Sequence, residues 1–502
     1  MVELDRFDAD TAEGRRTLTN VVATRAGAPG PGIVVVAHRD SLGAGARPEL
    51  SATAALLELA RVTGDGRLNR TITFISTTGG SSGAAGAARA AERLEGRADA
   101  VLVLGAMGGP ALRRPFVVGF SNGRGQAPIR LRRTVEAAVS SETGRNPGGF
   151  RAAAQWARLA APATIGEQGP FARDGQPAVL LSSSGGRPPG ARGQVTDARL
   201  QSFGRAALRS MYALDNGPDI ASPPRADLVT RGRVLPGWAV RLLVGALLLP
   251  PLVTAIDGYA RARRRREWVG PWAWWTLAGA LPFAAACLFA VLLGAVGLLG
   301  GVPPAPLPAP ALALDSTATA GLVALLLLFA LGWLALRPFA VRLAGVRGRP
   351  APAAGIGVLL VACAAVALLW IGNPYAAALA VPALHLWTWA VVPGRLPRLA
   401  RVALVALGTL LPLLVFSSLA GSFGWGRLEA LWAWILLVAA GHVPLVTWLL
   451  WSVVWGAGVS AAIVAVRTPR ERAQGPTGVT VRGPVSYAGP GSLGGTESAL
   501  RR

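Results

Sequence analysis

The sequence predicts an α/β three-layer sandwich with a mostly parallel central sheet, followed by an all-α transmembrane helical bundle. Three observations carry this. The 502 residues are 52% hydrophobic and 15% charged, whereas soluble domains carry about a quarter charged residues. The charge is also unevenly spread: residues 1–230 hold 28 Arg and 20 acids, net +8, and residues 231–502 hold 22 Arg and 6 acids, net +16. Finally, short apolar runs alternate with helical patterns before residue 216, while span-length apolar stretches fill the chain after residue 233.

In the first part, β-rich apolar runs fall at Val21–Ala23, Ile33–Ala37, Thr71–Ser76, Ala100–Leu104, Phe116–Phe120 and Ala178–Leu181. Helical patterns lie near 49–62, 82–95, 127–142, 150–160 and 197–214. Continuously apolar strands between helices predict a buried, largely parallel sheet covered on both faces. Ligands of such sheets bind beyond the carboxyl ends of the strands. That directs attention to His38-Arg39-Asp40, Thr77–Ser82 and Gly105–Gly109. The α/β domain is expected over 1–215, with 216–233 (Pro218, Pro223, Pro224) as a linker.

The second part, 234–466, offers seven apolar stretches: 234–256, 270–300, 317–336, 353–371, 375–392, 402–421 and 430–466. Crossing the hydrocarbon takes about 20 residues, and the last stretch, with Pro444 after His442, reads as one kinked span or two short ones. Arginines cluster in alternate loops: Arg261 and Arg263–Arg266, then Arg337, Arg342, Arg347 and Arg349, then Arg395, Arg398 and Arg401. The intervening loops hold only Arg427. The positive-inside rule places the Arg-rich loops and the tail (Arg467, Arg470, Arg472) in the cytoplasm and residues 1–230 outside a cell membrane. No apolar segment precedes residue 231 to export that domain, which leaves either a leading helix upstream of Met1, the favoured expectation, or an inverted topology. The tail from 467 to 502, rich in Gly, Pro, Ser, Thr and Arg without periodicity, is expected to be disordered.

Composition excludes several function classes. All 50 basic residues are arginine, which together with the abundance of Ala, Gly, Pro and Leu reads as a GC-rich coding bias. No basic stripe with interleaved aromatics accompanies them, so nucleic acid is not an expected partner. Cys287 and Cys363 both sit in apolar runs, which leaves neither a disulfide scaffold nor a Cys-ligated metal. Only three histidines exist: His38, His385 and His442. The last two, with Asn373, lie in or near spans, where hydrogen bonding between helices competes with a functional interior.

The order of segments carries a resemblance. Asn20–Ala23, Ile33–Val36 running into Ala37-His38-Arg39-Asp40-Ser41, and the helix Ala54-Ala55-Leu56-Leu57-Glu58-Leu59-Ala60-Arg61 resemble the M28 family of zinc aminopeptidases. The likeness continues through Thr71–Phe74, the turn Gly79–Gly83, Val101–Leu104 and Pro170–Ala178. The resemblance implies the M28 fold and a pair of zinc ions that activate a bridging water. Carried over by position, His38 matches the first zinc histidine and Asp40 the aspartate that orients it. The bridging aspartate falls on Pro48, with Glu49 beside it; the Glu-Glu pair of general base and ligand falls on Gly80-Ser81. The next aspartate ligand falls on Gly105, and the closing Asp-His pair on Glu167-Gln168. One ligand type of five survives, and no histidine other than His38 occurs before residue 385. Zinc, the family's cofactor, is therefore expected to be absent, and His38, Asp40, Glu49, Gly80, Ser81, Gly105, Glu167 and Gln168 to line a vestigial pocket.

Gly79-Gly80-Ser81-Ser82-Gly83 also fits Gly-x-Ser-x-Gly between a strand and a helix, with Ser81 as nucleophile and His38, held by Asp40, as base. Against this, His38 precedes the serine, and a glycine-rich turn capped by Ser81 or Ser82, or exposing its amides to an anion, explains the same residues. The expected function is a membrane-anchored pseudo-peptidase that binds a peptide, an envelope component or a partner protein. The alternatives are a hydrolase with a remodelled site, metal- or Ser81-based, and a transport or scaffold role of the bundle.

Overall fold

The computed structural model describes residues 1–41, 47–64, 67–94, 98–109, 112–189, 194–220, 222–230, 233–299, 302–312, 314–343, 345, 352–392 and 396–467. Arg347, Arg349, Arg395 and the tail beyond residue 467 lie outside the described residues.

The α/β part is built on β1 (Val2–Thr11), β2 (Gly14–Arg25), β3 (Gly32–His38), β4 (Ile72–Thr77), β5 (Ala98–Leu104), β6 (Val117–Val118) and β7 (Ala178–Leu181). The sheet order is β1-β2-β4-β3-β5-β7-β6. The four central strands β4, β3, β5 and β7 are parallel, and the outer pairings β1–β2, β2–β4 and β6–β7 are antiparallel, so the sheet is mixed. Ile33, Val35 and Ala37 enter one core with α1 (Arg47–Val62), α3 (Ile129–Thr143) and α6 (Asp197–Asp215). Val34 and Val36, pointing the other way, pack with α2 (Ala85–Leu94) and α5 (Gln168–Arg173). This alternation is why β3 is apolar throughout: both of its faces are covered.

Two elements depart from the sequence expectation. Strand β1 was not expected, because its inward-facing row includes Glu3 and Asp5. Asp5 is buried against Arg89 at 3.2 Å and Arg93 at 3.2 Å on α2. The run Phe116–Phe120 contributes only Val117–Val118 to the sheet, because Phe120 bridges to Gln126 instead. Within the expected linker, β8 (Leu228–Val229) pairs with β9 (Val234–Leu235), just past its end.

The remainder is helical: α7 (Gly237–Arg264), α8 (Gly270–Ala278), α9 (Leu281–Ala295), α10 (Ser316–Leu331), α11 (Arg337–Leu343), α12 (Pro352–Gly372), α13 (Pro374–Val391), α14 (Arg398–Phe423), α15 (Arg427–Ala439) and α16 (Leu445–Arg467). A π-helical turn, Gly332–Leu336, joins α10 to α11. Among the described residues five helices are long and apolar enough to cross a membrane: α7, the continuous Ser316–Leu343, α12, α14 and α16. The pair α8 and α9, bent by 43°, makes a sixth if it is one span. The stretch 375–392 forms α13, 18 residues interrupted by Pro382 and His385, and 430–466 divides into α15 and α16 around Gly441–Pro444. His385 directs Nδ1 at the Val381 carbonyl of its own helix, 3.0 Å away. Asn373 caps α13 by accepting from the Tyr375 and Ala376 amides, and also donates to the Leu159 carbonyl of α4 (Ala152–Ala160), 2.9 Å away.

The α/β part is seated on one end of the bundle. The Trp156 indole donates to the Tyr375 carbonyl at 3.1 Å, and Leu159, Ala160 and Leu228 enter the bundle's core. Asp227 accepts from the Gly237 amide at the start of α7. The opposite ends of α7, of α11 and of α14 carry Arg261–Arg264, Arg337 with Arg342, and Arg398 with Arg401.

Candidate functional site

Parallel strands β3, β4 and β5 end at the same level, since His38 pairs in register with Thr77 and the chain turns after Leu104 into Gly105. Their carboxyl ends and the end of β7 open into a small cleft. Of the sequence-predicted residues, His38, Glu49, Gly80, Ser81, Gly105 and Glu167 line it. Gln168 does not; it is buried with its Nε2 donating to Thr164 and to the Phe120 carbonyl. Asp40 stands behind the wall.

His38 is held from two sides. Its Nδ1 lies 2.8 Å from the Asp40 carbonyl, and its own carbonyl accepts from the Thr53 hydroxyl at 2.6 Å. The Asp40 carboxylate is 3.8 Å from Nδ1 and is engaged elsewhere. One oxygen accepts from the Gly80 amide at 2.9 Å; the other accepts from the Ser81 amide at 3.0 Å and from the Ser81 hydroxyl. Ser81 therefore gives its proton to Asp40 and not to His38, which is the arrangement of a capped turn and not of a nucleophile with its base.

Glu167, 3% exposed, precedes α5 and reaches back to the strand ends. Its Oε1 accepts from the Thr77 hydroxyl at 2.6 Å, while Oε2 is buried without a hydrogen-bond partner. Burial raises the Glu167 pKa, aided by the Asp40 and Glu49 charges and opposed by His38 and the Thr77 bond. For His38, burial works against protonation, but the Glu167, Asp40 and Glu49 charges and the bond to the Asp40 carbonyl outweigh it and raise its pKa. The pocket is thus lined by one imidazole and two carboxylates, Glu49 and Glu167, with the Asp40 carboxylate behind them, a setting in which a cation is favoured.

The positions where the resemblance expects catalytic carboxylates are closed. A Cβ on Gly80 would lie 2.3 Å from the His38 Cβ, 2.6 Å from its Cγ and 2.9 Å from Glu167 Oε1. A Cβ on Gly105 would lie 2.8 Å from the Ser182 Cβ and 2.9 Å from its Oγ. Side chains of the neighbours occupy the space that a general base and a ligand would need. Pro48, the bridging position, has no donor to offer. Among the described residues no group of three or more His, Cys, Asp or Glu is arranged to hold a metal ion. The residues present do not fit a zinc pair of the family's kind.

Ser182, Ser184, Arg187 and Pro308 are among the wall residues not singled out from the sequence. The two serines follow β7, where the strand-end rule could have found them. Arg187 donates through Nε to the Ser422 carbonyl at 2.7 Å and through Nη2 to the Gly421 carbonyl, at the last turn of α14. Pro308 comes from the proline-rich segment 302–312 between α9 and α10, whose Ala305 amide donates to the Gly83 carbonyl at 3.0 Å. Gly83, at φ +110°, is pressed so closely by Pro303 that a Cβ there would fall 2.2 Å from the Pro303 Cβ. Beneath this contact Arg158 donates to the Ser422 hydroxyl at 2.8 Å and lies 4.1 Å from the centre of the Phe423 ring. Burial, with Arg187 nearby, pushes the Arg158 pKa down to about 9. The helical part therefore reaches the pocket through Pro308 and is tied to its wall through Arg187.

Comparison with known proteins bears on the α/β part alone. Similar solved structures include an Acidobacteriales bacterium glutaminyl cyclase (19% identity, 43% of this chain and 79% of that one, TM-score 0.32). They also include a zinc aminopeptidase from Bacillus subtilis (17% identity, 42% and 54%, TM-score 0.32) and an aminopeptidase from an Aneurinibacillus species (20%, 42% and 52%, TM-score 0.32). The chain thus spans about half the length of those two aminopeptidases. No curated protein matches the sequence. The model of Peptidase family M28 matches residues 20–142, the stretch from β2 through α3 that supplies His38, Gly80 and Gly105, and the α/β part accordingly has an M28 peptidase-like fold.

Proposed function

We propose that the protein is a membrane-anchored pseudo-peptidase of M28 type, whose strand-end pocket binds a peptide, an envelope component or a partner protein without cleaving it. The single observation that carries this reading is the closure of positions 80 and 105 by His38, Glu167 and Ser182. Bimetallic hydrolysis needs a base beside the metal-bound water, and a glycine whose Cβ would overlap His38 leaves no room for one. The engagement of the Ser81 hydroxyl by Asp40 supports the same conclusion for a serine mechanism. Zinc is not part of the proposed resting state.

The chain would be a multi-pass protein of the cell membrane. The arginine-bearing ends of α7, α11 and α14 lie away from the α/β part, which supports an extracytoplasmic pocket and cytoplasmic Arg-rich loops. The ligand would enter between the strand ends and the segment containing Pro308.

The test is elemental analysis of the purified full chain, with an assay for release of amino-terminal residues from oligopeptides. The expected result is sub-stoichiometric zinc and no release. Two zinc ions per chain, with cleavage abolished by a chelator, would overturn the proposal.

A further inference from the structure

A second cavity lies away from the strand ends, bounded by α3, by the chain between α3 and α4, and by the end of β8. Three arginines line it: Arg132 and Arg133 on α3, and Arg151 at the N-cap position of α4. Glu136 is the one acid among its lining residues. Helix α4 starts here without a side-chain cap, so the partial positive charge of its first-turn amides adds to that of the guanidinium groups.

Arg132 supplies a second, independent observation. It is 5% exposed, its Nη1 donates to Gln126 Oε1 at 3.2 Å, and its Nε has no acceptor. The nearest carboxylate, Glu136, is 4.0 Å from Nη2, at the limit of an ion pair. Burial lowers the Arg132 pKa and raises that of Glu136, so within the protein neither charge is well compensated. A buried guanidinium left this way is costly unless a further anion completes it.

The position of the cavity indicates where that anion comes from. Leu228 is packed in the core of the helical bundle, and the next two residues, Val229 and Thr230, form part of the cavity wall. Helix α7 starts a few residues on, at Gly237, with Trp238 68% exposed and Leu242 63% exposed. An exposed tryptophan at the start of an apolar span marks the level of lipid headgroups. Guanidinium forks match phosphate oxygens in pairs, and a phosphate carries more acceptors than one carboxylate.

We propose that this cavity binds a phosphate group, and that in the membrane the phosphate belongs to an anionic lipid headgroup lying beside α7. Arg151 and Arg133 reach it from the rim, the amides of α4 face it, and Arg132 supplies the buried charge behind.

The test is native mass spectrometry of the full chain in neutral detergent, titrated with phosphatidylglycerol, phosphatidylcholine or inorganic phosphate. Phosphatidylglycerol is expected to bind in preference to phosphatidylcholine. The exposed double variant R133A/R151A is expected to weaken that binding by about tenfold or more, as loss of charged hydrogen bonds requires. The control R6A/R15A, which removes the same charge from exposed positions on β1 and β2, should leave it unchanged. Because Arg132 is buried and its replacement could fail to fold, the rim variant carries the test. Lipid binding unaffected by R133A/R151A, or weakened equally by R6A/R15A, would overturn the site. Binding of inorganic phosphate that depends on Arg133 and Arg151, with no preference for the anionic lipid, would overturn the lipid as its source. Neither readout depends on zinc or on the strand-end pocket.

Discussion

Replacing Gly80 by alanine tests the claim that the general-base position is sterically closed. The added Cβ would meet the His38 Cβ at 2.3 Å and Glu167 Oε1 at 2.9 Å. The first contact is with an atom fixed to the end of β3, so no rotamer change relieves it and the backbone must move. Overpacking of this kind costs about 1–3 kcal/mol, and a clash with a fixed atom belongs at the upper end. At about 3 kcal/mol, and about 2–4 °C per kcal/mol for a unit of this size, the unfolding midpoint should fall by about 6–12 °C. Gly204 is the control. It lies inside α6 with nothing within 4 Å of its virtual Cβ, so Gly204→Ala should gain about 0.8–1 kcal/mol of helix propensity. Scanning calorimetry of the full chain in detergent reads both. The same chemical change should move the midpoint down at one site and up at the other. If Gly80→Ala were neutral or stabilising, space for a side chain would exist beside His38, and the steric argument against a catalytic base would be refuted.

The double variant Gly80→Glu with Gly105→Asp, which restores two carboxylates in name, should gain neither bound zinc nor aminopeptidase activity, because Ser182 and His38 fill their places; metal analysis and a peptide-release assay check it. The pKa of His38 is raised above its ordinary 6.5, so the stability it contributes is complete below that value and is lost as pH rises through the folded-state pKa. The midpoint should therefore decline with rising pH above 6.5 in the wild type and more shallowly in His38→Gln; identical profiles would contradict the linkage. The pKa of Glu167 is raised from 4.5 mainly by burial, so Glu167→Gln, which keeps an acceptor for Thr77, should be neutral or stabilising above that pH in the same measurement. Arg158→Ala removes the bond to Ser422 and the cation–π contact with Phe423, together about 2–3 kcal/mol at a desolvated interface. Hydrogen exchange at the last turn of α14 should rise while β3 and β5 stay protected.

The architecture was legible wherever one physical constraint ruled the composition. Strands β3, β4, β5 and β7 stand out because a doubly covered parallel strand must be apolar on both faces. Strand β1 does not, because the inward position at Asp5 is neutralised by Arg89 and Arg93 from α2, a long-range pairing that no local pattern contains. The chemistry of the pocket was legible by identity: glycine and proline at carboxylate positions can be read directly. Its geometry was not. The overlap of a residue 80 side chain with His38, the switch of Asp40 from imidazole to the Gly80 and Ser81 amides, and the turning away of Gln168 all depend on distances. Pro308 was invisible as a pocket residue because a loop between two apolar stretches reads only as a connection.

That loop bears on the binding role proposed for the pocket. In an α/β sheet of this kind the space beyond the strand ends is where ligand and protein meet, and here Pro308 of 302–312 borders it while Arg187 of its wall is tied to the end of α14. The docking depends on residues that would have no such partner in a free-standing domain: Gly83 pressed against Pro303, Arg187 on the Gly421 and Ser422 carbonyls, and Arg158 under Phe423. Filling the pocket floor with His38, Glu167 and Ser182 and walling it from the bundle are consistent with one direction of change. A site under catalytic constraint must keep its floor open for ions and its mouth open for turnover. A site that only binds can spend both surfaces on holding the domain to the membrane part. A ligand in this pocket would touch Arg187 and Pro308, and its binding energy would act on α14 and on the α9–α10 connection as directly as on the sheet.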